Sequence, residues 1–135
     1  MTDAITNNAI GRTEETPDDQ PFFLYLAHTA PHWPLHTHPE DIARYDGVYS
    51  NGSDATRTAR HETVNDIGLF QRNWDISARD ADVHPWTKGK NTDWEARKMA
   101  TYTAMIDRMD QSIGRLVAEL KSIGQFENTL IMFFV

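Results

Sequence analysis

Two unbroken apolar runs and one long amphipathic stretch set the frame of this 135-residue chain. Phe22, Phe23, Leu24, Tyr25, Leu26 and Ala27 follow one another without alternation, the pattern of a strand buried on both faces. Pro21 before it and Pro31 after it delimit the run, because proline cannot extend a central ladder. The chain closes on a similar run, Thr129, Leu130, Ile131, Met132, Phe133, Phe134 and Val135, which predicts a second buried strand. Between them Met99, Tyr102, Ile106, Met109, Ile113, Leu116, Leu120 and Ile123 recur at alternating steps of three and four, one continuous helical stripe. Thr92 and Glu95 have the spacing of a capping box, and Gly124 supplies a stop. The predicted helix, residues 93–123, would be about 45 Å long at ~1.5 Å per residue.

Weaker patterns fill the rest. Residues 2–15 read as a short helix with Thr2 at its start and a modest face of Ala4, Ile5, Ala9 and Ile10. Residues 16–20 read as a turn. Pro39 suits a first helical position, and Glu40 and Asp41 suit the positive end of a helix over 39–45. Residues 53–69 predict a mixed, polar helix capped by Ser53 and stopping near Gly68. Residues 71–91 have no period and predict a loop, unusually long for a compact domain. The order strand, helices, long helix, strand predicts an α/β chain with parallel pairing across crossover connections. Because the last run ends with no polar turn, the expectation is a piece of a larger protein.

Composition narrows the function classes. A net charge of -7 argues against a nucleic-acid surface, which wants a basic patch. The absence of cysteine excludes disulfides, thiolate metal sites and a cysteine nucleophile within the chain. No apolar run approaches the ~18 residues of a membrane span. The first residues lack the basic-then-apolar layout of a signal peptide, and the compartment stays open.

The candidate chemistry follows the first apolar run. His28, His32, His36 and His38 lie in a loop punctuated by Pro31 and Pro34, with Trp33 among them. In open α/β sheets ligands bind beyond the carboxyl ends of strands, so ionisable groups stand where such an enzyme keeps its site. His28, His32 and His36 are four apart, a spacing that on a helix would stack them on one metal ion. The two prolines forbid that helix, and an extended chain spreads the rings too far apart, so no metal ligand is assigned. His28 and His38 read as packing or surface groups. Asp107, Arg108 and Asp110 read as a solvated or salt-bridged helix face. Trp74 and Trp86 receive no role.

The segment from Pro21 to Ala27, followed by Ala30, Pro31, His32, Trp33, Pro34 and Leu35, resembles the central part of type I sulfatases, the arylsulfatase group. The stretch from Met105 through Asp107, Arg108, Asp110 and Gly114 to Leu116, and the closing Gly124 with 128–134, resemble the same family, so the likeness covers nearly the whole chain. It implies a fragment of an alkaline-phosphatase-like α/β sandwich, with a mainly parallel sheet core and flanking helices including the long one at about 93–123. It implies that residues 1–135 are a partial catalytic domain, and that the parent protein hydrolyses a small-molecule or glycan sulfate ester to an alcohol or phenol plus sulfate. It implies a formylglycine nucleophile, made from Cys or Ser in a Cys/Ser-x-Pro-x-Arg motif, and a Ca2+ ion on the sulfate oxygens. It assigns His32 as the catalytic histidine contacting the sulfate ester; His36 and Trp33 are the candidate substrate-binding residues.

The departures from the family are specific. No Cys/Ser-x-Pro-x-Arg occurs, and the family's Ser-Asp-Asn-Gly after the last strand is not among these residues. The nucleophile, metal and lysine positions would lie in N- and C-terminal parts of the same domain, so the chain alone is expected not to turn over substrate. Two alternatives stand beside this reading: a stand-alone interaction module derived from a truncated sulfatase gene, and a fragment of a phosphonate or phosphate monoester hydrolase.

Overall fold

A computed structural model describes residues 1–17 and 19–134, and the side chain of Lys88 lies outside the description. Asp18, in the predicted turn, and Val135, at the end of the predicted second strand, therefore fall outside the described residues. Among the described residues four α-helices form: α1 (Thr2–Glu14), α2 (Pro39–Ala43), α3 (Gly52–Asp66) and α4 (Thr92–Ser122), with short 3-10 turns at Trp86–Lys88 and Phe126–Asn128.

The predicted sheet is overturned: among the described residues there is no strand, and the chain is helices joined by irregular segments. The α/β sandwich with a mainly parallel sheet core is therefore not the fold seen. A strand exists by virtue of the neighbour that takes its backbone hydrogen bonds. The apolar runs supply side chains suited to a sheet but no partner ladder, and neither the residues 22–27 nor 129–134 take up regular structure. Burial fails with it: Phe23 is 91 % and Leu130 83 % exposed.

The helices match the pattern closely. α4 starts at Thr92 and ends at Ser122, within a residue of the expected bounds at each end. Asn91 takes a positive φ of 60°, and the Glu95 N–H reaches its carbonyl at 3.1 Å, so helical bonding begins one residue before the expected cap. Gly124, at φ 71°, turns the chain out of the helix, a conformation that costs glycine little. Pro39 opens α2 as expected. α3 begins at Gly52 rather than Ser53, with Asn51 as its N-cap residue and no side-chain capping bond. α1 likewise has no side-chain cap.

The chain divides into two compact units, one made of Met1–Thr37 with Ala104–Val135, the other of His38–Thr103. In the first, α1 buries Thr6, Ala9 and Thr13, and the later part of α4 buries Ala104, Met105, Ser112 and Leu120. The buried positions of α4 in this unit mix small and large side chains, and the predicted stripe of large residues leaves Ile106 partly open to solvent. Asp3 of α1 accepts two hydrogen bonds from Arg108, Nε at 3.1 Å and Nη2 at 2.8 Å, and Ser112 Oγ stands 3.5 Å from the same carboxylate. Arg115 lies 3.7 Å from Asp3 and also donates to the Asn7 side chain. The salt-bridged reading of Arg108 is what this unit shows, with Asp3 as the partner.

In the second unit, Arg97 pairs with Asp46 at 2.6 Å and the Tyr49 hydroxyl meets Thr103 Oγ1 at 2.5 Å. Gly52 is buried at φ 83°, and a Cβ there would fall 2.1 Å from the ring of Trp86. Both facts demand glycine.

Gly52→Ala is expected to lower the unfolding free energy by roughly 1–3 kcal/mol, from backbone strain and displacement of the indole. Gly11→Ala, in α1 where a Cβ meets nothing within 4 Å, should instead be neutral or stabilising by up to about 1 kcal/mol. Urea titrations of the two variants check the contrast.

Candidate functional site

The histidine loop grows out of the first apolar run, in the first unit. Along 22–29 exposure alternates: Phe22, Leu24, Leu26 and His28 are half-buried, and Phe23, Tyr25, Ala27 and Thr29 are exposed. This is the period of two of an extended chain, with one side against the unit and the other in solvent. Ala30 is buried and ends the run. The His32 N–H then donates to the Thr29 carbonyl at 3.0 Å, closing a tight turn, and the Thr29 hydroxyl reaches Met1 Sδ at 3.3 Å. The Ala30–Pro31 and Trp33–Pro34 peptide bonds are both cis.

The turn presents its side chains outward. His32 and His36 are exposed, Trp33 is 72 % exposed, and none of the three has a side-chain hydrogen bond or ion pair among the described residues. The imidazole of His32 is thus free to take an external hydrogen-bond partner, and its backbone is fixed by the turn. Trp33 offers an open aromatic face beside it in sequence. A shallow groove in the same unit is lined by Thr13, Glu14, Thr16, Pro17, Gln20, Phe22, Ile123 and Gln125, and none of the loop histidines lines it.

His28 differs from its neighbours. Both ring nitrogens are buried with no hydrogen-bond partner among the described residues, and burial lowers its pKa from the ordinary 6.5. The sequence carried the signal: His28 stands in phase with Phe22, Leu24 and Leu26, the half-buried side of the extended chain. His38, in the second unit, is exposed and lies 3.7 Å from Glu40.

Neither group implied by the family likeness finds a fit in these residues. Among the described residues no three His, Asp or Glu side chains gather to hold a metal ion. The chain has no cysteine, and none of its serines begins a Ser-x-Pro-x-Arg motif, so a formylglycine has no precursor here. What the loop itself can do is narrower: accept or donate a proton at His32 and present cationic or aromatic contacts to an anion.

The lowered pKa of His28 has a sign. Burial disfavours the charged ring in the fold, so the unfolded chain binds the proton more readily. The His28 contribution is fully present above about pH 6.5 and is lost as pH falls from there towards the lowered value. Unfolding titrations between pH 7.5 and 5 should show stability dropping with acid, and His28→Gln should flatten that slope.

Comparison with known proteins adds an independent observation. A sulfatase family model matches residues 1–134. The chain is 36% identical to an uncharacterized sulfatase of Schizosaccharomyces pombe over 127 residues, covering 92% of this chain and 23% of that protein. It is 34% identical over 120 residues to an arylsulfatase of Klebsiella aerogenes, covering 87% of this chain and 26% of that protein. To the N-sulphoglucosamine sulphohydrolase of Homo sapiens it is 29% identical over 120 residues, covering 88% of this chain and 21% of that protein. The chain therefore spans about a quarter of the length of the curated relatives it matches.

Proposed function

We propose, from the premise that this chain belongs to the sulfatase family, that it supplies one part of a catalytic domain hydrolysing a sulfate ester to an alcohol or phenol plus sulfate. The observation that carries the reading is the family match across residues 1–134 together with an exposed His32, without a side-chain partner among the described residues, on a turn between two prolines. Support for the class also comes from relatives named as sulfatases at about a third identity.

His32 is the catalytic residue of this segment. A sulfate monoester carries negative charge on oxygens that the transition state loads further, and a positioned cationic donor stabilises it. As bond cleavage proceeds, the departing alkoxide or phenoxide needs a proton, and an imidazolium can give it. The His32 ring, with no partner among the described residues competing for its nitrogens, is suited to both tasks. His36, four residues on and also exposed, adds a second polar contact to the substrate. Trp33 supplies a wall for the alcohol or phenol part.

The nucleophile and the calcium of the family lie outside these residues, so the chain by itself should show no turnover. A stand-alone interaction module draws on a different observation, the exposure of Leu130, Met132, Phe133 and Phe134 in a row. It makes the opposite forecast in the same experiment.

Residues 1–134 are exchanged for the matching segment of the Klebsiella aerogenes arylsulfatase, and hydrolysis of an aryl sulfate is followed. The chimaera should be active, and His32→Ala should lower its kcat by about 10²–10⁴. His36→Ala and Trp33→Ala should act mainly on KM. A folded chimaera without sulfatase activity, or one indifferent to His32, sinks the reading. Greater turnover of an aryl phosphate than of the sulfate would favour the phosphate monoester alternative.

A further inference from the structure

The long loop after α3 is not a free excursion. It runs back along the helix it has just left, held by side chains at regular intervals. His61 Nε2–H donates to the Trp74 carbonyl at 2.6 Å. Arg57 donates to the Ser77 carbonyl and to Ser77 Oγ, the latter at 2.7 Å. Asp54 accepts from Arg79 Nη1 at 3.2 Å and from the Trp86 backbone N–H at 3.4 Å. The helix positions fall from 61 to 57 to 54 as the loop positions rise from 74 to 77 to 79, an antiparallel zipper. Asp54, Arg57 and His61, spaced three and four apart, share one face of α3. At the far end the Trp86 ring packs on buried Gly52.

The attachment is made almost wholly by side chains. Residues 70–84 are all exposed, and among the described residues the backbone N–H groups of that stretch donate within it only from Asp82 and Val83 to Asp80. Its apolar side chains point the opposite way from a core: Trp74 is 63 % exposed, and Ile76 and Val83 are also exposed. Removing this segment from α3 thus breaks a few solvent-exposed tethers and uncovers little apolar surface, whereas α4 carries its own backbone ladder and a buried face.

We propose that residues 70–85 form a strap that lifts off α3 as a single unit while α3 and α4 stay folded, with Trp86 on Gly52 as its fixed end. Segments with few buried apolar contacts and exposed hydrogen bonds open first. Opening frees the Asp54, Arg57 and His61 face of α3 and moves Trp74 and Ile76 together. The inference rests on the tether geometry alone and does not depend on the sulfatase reading.

Limited proteolysis of the 135-residue chain by chymotrypsin tests it, because cleavage tracks the open population when closing is fast. The cut after Trp74 should precede any cut after Tyr102 of α4. The double variant Arg57→Ala, His61→Ala should speed the Trp74 cut by roughly five- to tenfold, with helical ellipticity and the Tyr102 cut unchanged. Arg79→Gln, which leaves the sequence of α3 untouched, should speed it in the same direction. Acceleration of both cuts together would make strap and helices one cooperative unit and overturn the proposal. So would a Trp74 cut that neither variant changes.

Discussion

The Asp3 carboxylate holds the first unit's two helices together. α1 is thirteen residues long and has only a modest apolar face, too little to be stable alone. Few positions are buried, Thr6, Ala9 and Thr13 on α1 and Ala104, Met105, Ser112 and Leu120 on the later part of α4. So few give little apolar area, and registry has to come from elsewhere. The two-pronged contact of Arg108 with Asp3 supplies it, because a planar guanidinium meeting a carboxylate along two hydrogen bonds fixes orientation as well as distance. The same unit carries the histidine loop, and the half-buried side of the run leading into it ends on the enclosed ring of His28.

That loop divides its labour. His28 is drawn inward, where burial lowers its pKa, and His32 and His36 are left to solvent. The division follows from an extended chain of period two interrupted by a turn at Thr29 and His32: the same backbone that packs one imidazole must present the next. These residues hold no Cys/Ser-x-Pro-x-Arg motif, and among the described residues no three His, Asp or Glu side chains gather to hold a metal, which is why the functional reading concerns a contribution to a site.

Local signals made the helices legible. Proline at the start of α2, glycine after α4 and an eight-position apolar stripe are each decided within a few neighbouring residues, and α4 emerged within a residue of its expected ends. The sheet was misread for the complementary reason. Residues 22–27 and 129–134 have strand-like composition, but strand formation depends on a partner that composition does not contain. Contacts between distant positions were equally hidden: nothing local in Asp3 announces Arg108, and nothing in the aperiodic loop 71–91 announces that Ser77 and Arg79 lie along α3. The histidine loop was visible from its prolines and its spacing. The burial of His28 was there in its phase with Phe22, Leu24 and Leu26, a pattern obscured by the unbroken hydrophobicity of the run.

The central claim, that this chain is one part of a sulfatase catalytic domain, is tested most directly by reading the DNA on either side of its 135 codons. The account predicts an in-frame Cys/Ser-x-Pro-x-Arg motif upstream and a Ser-Asp-Asn-Gly motif downstream, the missing nucleophile and metal ligands of the same site. Stop signals flanking these codons, with neither motif in frame, would contradict it and leave the sulfatase likeness as ancestry without hydrolysis.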